Sequence, residues 1–120
     1  MNWYKFALTI ENFSDRNKIN ENIRDLKEIT ITLAYLRKYV YQNAVHAKQV
    51  ISTIANGKKM STYPEIKKLL LKANDKALDN YKSFAEICDI VLEKIYDEIK
   101  KLEKERTEFT NGLSKNKKKD

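Results

Sequence analysis

His46 and Cys88 are the only histidine and cysteine in the chain, so metal, acid–base or thiol chemistry would have to start from them. A metal-binding histidine on a helix wants a second ligand one turn away. The positions three and four residues from His46 hold Gln42, Asn43, Gln49 and Val50, and none completes a metal site. Cys88 falls between Phe84 and Val91 on an apolar stripe, the setting of a buried and inert thiol. Asp75, Asp79, Glu86, Asp89, Glu93, Asp97 and Glu98 recur at helical spacings beside lysines. A di-metal carboxylate bundle needs Glu-x-x-His pairs on facing helices, so with one histidine these acids read as a solvated face. Nowhere do a nucleophile, a base and an electrostatic clamp come together. The expectation is a protein that is not an enzyme and carries no cofactor or metal.

Charge is the stronger signal. Between Ile29 and Lys72 stand eight basic residues (Arg37, Lys38, Lys48, Lys58, Lys59, Lys67, Lys68 and Lys72) and one acid, Glu65. That window nets +7, which equals the net charge of the whole molecule. Lys67 and Lys68 sit in the opening turn of an expected helix, where positive charge is disfavoured by the helix dipole. Tyr39, Tyr41 and Tyr63 are interleaved with the cations, and an exposed aromatic ring can stack on an unpaired base. The 20 lysines against 4 arginines favour point-charge contact with phosphate over bidentate reading of base edges. Lys115, Lys117, Lys118 and Lys119 add a basic tail suited to further electrostatic grip.

These residues imply a non-enzymatic, sequence-tolerant nucleic-acid-binding accessory subunit, with phosphates of RNA or DNA held at a basic bend. The alternative is a protein–protein interaction module: a coiled-coil adaptor, a phage-type inhibitor or an assembly factor that binds no nucleic acid. In that case the bend would meet an acidic protein surface.

The elements that must position the cations are helices. Two glycines and one proline in 120 residues leave little to build the turns of a sheet protein, and 42% apolar content supports a folded core. Trp3, Phe6, Ile10 and Phe13 mark one stripe of a short helix over Asn2–Phe13. Its one lysine, Lys5, makes a membrane-surface role a poor fit. From Ser14-Asp15, which offers capping oxygens, to Asn56, apolar residues recur every three or four positions. This predicts one helix of some 40 residues, ended by Asn56-Gly57 with glycine in the left-handed conformation. Thr62-Tyr63-Pro64-Glu65 matches a capping box for a third helix, whose seam runs from Ile66 to Leu102 and ends at Asn111-Gly112. Asp79, Asn80 and Ser83 are poor interior residues, and Ser83-Phe84-Ala85-Glu86 is itself a possible capping box. The seam nevertheless keeps phase there, so the third helix is read as continuous rather than split near residue 80.

The expected fold is therefore all-α: a long antiparallel helical hairpin with a short N-terminal helix, three to four helices in all. Residues 1–112 make a single domain and 113–120 a disordered lysine-rich tail. Tyr35, Tyr39, Val45, Val50, Leu69, Leu78, Ile87, Ile90, Leu92 and Tyr96 lie outside the two seams. A two-helix hairpin would expose them, so completion of a bundle by a homo-oligomer or a protein partner is expected. No apolar run is long enough to span a bilayer, no signal peptide is visible at the N-terminus, and one cysteine excludes an intrachain disulfide framework. A cytoplasmic, non-membrane protein is the default.

Overall fold

The computed structural model describes Trp3 and residues 18–119, with side chains through Glu108. The described chain forms α1 (Lys18–Tyr39), α2 (Ala44–Ala55), a short 3-10 helix (Lys58–Thr62), α3 (Pro64–Lys76) and α4 (Tyr81–Lys119). No strand occurs among the described residues, and the fold is all-α as expected. The expected N-terminal helix lies outside the described residues except for Trp3, whose ring meets Tyr96 edge-on with centroids 6.0 Å apart.

Each long arm is two helices, not one. The first breaks after Tyr39, whose carbonyl accepts from both Gln42 N and Asn43 N. Asn43 then opens α2 by accepting from His46 N at 2.9 Å through its side chain. The second breaks after Lys76, and Asn80 does the same job by accepting from Ser83 N at 3.1 Å. Ser83 is thus the capped residue there and not the cap. An asparagine side chain satisfies an amide that the helix start leaves without a partner, worth about 1 kcal/mol. Val40 and Ala77 are buried at the two reversals, so each turn is pinned to the core.

The joint between α2 and α3 also differs in its chemistry. Thr62 closes the 3-10 helix, and Tyr63 occupies the cap position of α3 with no side-chain hydrogen bond, so the expected capping box does not form. Pro64 stands in the first turn of α3, where its missing N–H costs nothing. Gly57 follows the end of α2 with φ −72°, not left-handed. A Cβ there would lie 3.3 Å from the Ile54 carbonyl oxygen, so close approach is what favours glycine. The backbone of α4 passes Asn111-Gly112, the expected terminator, and reaches Lys119. One glycine costs a helix about 1 kcal/mol and need not end it. The lysine-rich segment 113–119, expected as part of a disordered tail, continues α4 in its backbone, and its side chains lie outside those described.

Long-range contacts fix the direction of every helix. Arg37 pairs with Asp89, and Arg106 donates to Asn20, so α1 and α4 are antiparallel. Lys48 reaches the Asn74 carbonyl, so α2 runs against α3. Lys59 reaches Asp25, so α2 has returned the chain to the start of α1. The helices alternate up, down, up, down. The main packing is of α4 on α1 and α3, and of α2 on α3. Leu26, Leu33, Ile51, Met60, Leu70, Phe84, Ile95 and Ile99 fill the space between them. Much of the apolar surplus outside the seams finds a place within the chain. Leu92 is buried and Tyr39, Val50, Leu69, Ile87 and Tyr96 are half-buried, whereas Tyr35, Val45, Leu78 and Ile90 stay exposed. No helix of the described residues is long and apolar enough to cross a membrane.

Candidate nucleic-acid interface

Folding divides the basic window. Arg37 and Lys38 end α1, while Lys59 lies beside Asp25, 12 residues back along the same helix and so about 18 Å away at ~1.5 Å per residue. The eight cations therefore do not converge on one bend. Arg37 grips Asp89 with both prongs, Nε to Oδ1 at 2.6 Å and Nη2 to Oδ2 at 3.0 Å. That hydrogen bond raises the guanidinium pKa, and burial opposes it. Lys59 donates to Asp25 at 2.9 Å, which likewise raises its pKa against some desolvation. Both partner acids come from outside the window, so two of its charges are offset within the molecule. Lys48 donates to the Asn74 carbonyl at 3.2 Å, and the Lys38 ammonium lies 5.5 Å from the centre of the Tyr39 ring.

The remaining lysines of the window, Lys58, Lys67, Lys68 and Lys72, belong to the 3-10 helix and α3. From Ala44 to Lys76, the α2–α3 half, there are seven basic residues and two acids, Glu65 and Asp75. Residues 81–108 of α4 hold six basic residues and eight acids. Because α2 packs on α3, the asymmetry along the chain becomes an asymmetry across the molecule. Lys58, Lys67, Lys68 and Lys72 form no salt bridge among the described residues, and Glu65 is drawn toward Lys94 at 3.5 Å. Lys68 and Lys72 are exposed, and so is Lys76, which sequence reasoning missed because it follows Asp75. The signal was there. Positions 68, 72 and 76 are four apart and make one row opposite the buried Ile66, Leu70 and Ala73, with ~6 Å between steps. The side chains of Lys115, Lys117, Lys118 and Lys119 lie outside those described.

The chain matches no family model, no curated protein and no solved structure in comparisons with each. The functional reading therefore rests on this geometry.

Other sites offer less. A groove of about 690 Å³ opens between the start of α3 and α4, and Tyr63, Ile66, Lys94, Asp97, Glu98 and Lys101 are among its lining residues. Lysines and carboxylates alternate around it without a histidine or a thiol. Tyr63 is half-buried there. Burial first, and Glu98 and other carboxylates second, raise its phenol pKa, so the hydroxyl keeps its proton at neutral pH. His46 is exposed at the start of α2. No group of three His, Cys, Asp or Glu able to hold a metal occurs among the described residues.

Cys88 is buried, and that burial, aided by Asp89 and opposed by Arg37, pushes its thiol up to about 12. An unfolded thiol ionises near pH 8.5, so above that pH the unfolded state holds fewer protons than the folded one. Stability contributed by the protonated thiol is complete below that pH and declines as pH rises toward 12. The limiting slope is about 1.4 kcal/mol per pH unit. Urea midpoints between pH 8 and 9.5 are expected to fall more steeply for the native chain than for Cys88→Ala. Parallel slopes would show that the buried thiol is not the titrating group.

Proposed function

We propose that this chain binds the phosphate backbone of nucleic acid, without reading sequence, through the lysines of its α2–α3 side. One observation carries the reading: the half of the chain from Ala44 to Lys76, seven basic residues to two acids, folds as adjacent helices whose exposed lysines, Lys59 apart, form no salt bridge among the described residues. Unpaired cations in a row suit a polyanion, since each lysine–phosphate contact releases condensed counterions. Lysine at these positions supplies charge without the planar fork that reads guanine, so affinity is expected to vary little with sequence. The role that follows is a non-enzymatic accessory subunit that holds RNA or DNA for a larger complex. Titration of salt against binding of a labelled single strand and a duplex tests it. The expected result is a linear fall of log K with log[salt], with a slope of about 0.7 per single-strand phosphate and about 0.9 per duplex phosphate. Absence of binding to both at ~50 mM salt would rule the reading out.

A further inference from the structure

Three exposed tyrosines lie at, or within two helical turns of, the end of the bundle where the chain reverses twice. The turns at 40–43 and 77–80 share this end because the helices alternate in direction. Tyr41 in the first turn is 67% exposed, and Tyr81, which opens α4 after the second, is 56% exposed. Tyr35, 50% exposed, lies less than two turns down α1, with its ring 4.8 Å from that of half-buried Tyr39. The lysine row of α3 climbs toward the same end, and Lys76 stands five residues before Tyr81.

We propose that these tyrosines are a stacking platform for unpaired bases, so that the ligand class is single-stranded nucleic acid or an unpaired end. This rests on the phosphate-binding reading and extends it. Exposed aromatic rings beside cations match the chemistry of sequence-tolerant strand binding, in which a basic track holds the backbone and rings take the bases. Lys38 and Lys82 flank the tyrosines and the lysine row of α3 leads toward them, while Asp75, Asp79 and Glu86 are the acids of the same stretch. The positive charge that favours a polyanion comes from the row on α3, Lys68, Lys72 and Lys76, and Val45 and Leu78 widen the apolar contact at the tyrosines. A strand lying along α3 would pass its phosphates over Lys68, Lys72 and Lys76 and deliver its next bases to Tyr81 and Tyr41.

The test compares three labelled ligands with the full chain: a thymidine strand of about 20 nucleotides, an abasic strand of equal length, and a blunt duplex. The thymidine strand is expected to bind about tenfold or more tighter than the abasic one at the same salt, since each stacked base contributes at least ~1 kcal/mol. Tyr41→Ala combined with Tyr81→Ala is expected to bring that ratio to one. The salt slope and the thermal midpoint should be preserved, because both rings are exposed. Equal binding of the two strands by the native chain overturns the platform and leaves the phosphate reading standing. Failure of all three ligands to bind at ~50 mM salt overturns both. If light scattering shows self-association that the tyrosine variant loses while its strand ratio is unchanged, the surface belongs to a protein contact and the platform is overturned.

Discussion

Changing Lys67, Lys68, Lys72 and Lys76 together to glutamine is expected to weaken single-strand binding by about three orders of magnitude at ~0.1 M salt. The magnitude follows from counterion release. Each phosphate contact contributes about 0.7 to the log–log slope for a single strand, so four lost contacts remove roughly three decades at that concentration. Glutamine keeps most of the side-chain length and the helix propensity, and three of the four positions are exposed, so the fold should be untouched. The slope itself should flatten by about three, and that readout separates lost contacts from a generally weaker protein. Lys101→Gln with Lys104→Gln, which removes half as much charge from α4, is the comparison and should leave the slope as it was. If the two variants lose affinity in proportion to charge alone, binding belongs to the net charge of the molecule and not to the α2–α3 side.

Phe84→Ala should cost about 3–5 kcal/mol of folding stability, a large part of the 5–15 kcal/mol typical of a whole domain. Phe84 has no exposed surface and is the largest of the fully buried side chains among the described residues. It also sits in the first turn of α4, with its amide bonded to the Asn80 carbonyl at 2.9 Å. The ring thus anchors the second chain reversal to the core. Truncation would leave a cavity lined by side chains that cannot fully collapse into it, and would loosen the turn that carries Tyr81. Urea unfolding should show a lower midpoint at nearly constant m. A loss below ~1 kcal/mol would mean that the helix start, and not the core, holds this turn in place.

The lysine prediction depends on which part of the chain faces which, and that was only half visible in the residues. Composition excluded a sheet protein, and the spacing of Ile66, Leu70 and Ala73 identified the buried stripe of α3, whereas the lysine row at 68, 72 and 76 was not read from it. Pro64 marked the start of that helix. Those features are local, set by backbone propensity and by the 3.6-residue period, so sequence carries them directly.

The two reversals were not legible in the same way. Leu36, Val40 and Ala47 keep helical spacing through the first turn, and Ala73, Ala77 and Phe84 keep it through the second, yet the chain doubles back at both. A turn pinned by a buried residue faces the same core before and after, so apolar periodicity cannot register the change of direction. Asn43 marks the first point and Asp79, Asn80 and Ser83 the second, and such polar residues are a weak signal beside an unbroken seam. The pairs Arg37–Asp89 and Lys59–Asp25 join residues 52 and 34 positions apart, so no spacing rule could find them. The sequence by itself determined an all-helical protein with its surplus positive charge in the middle. Tertiary structure alone decided that this charge is divided, with Arg37 held by Asp89, Lys59 by Asp25 and the unpaired lysines left on the 3-10 helix and α3, because helix direction and long-range ion pairing are set by packing across the core.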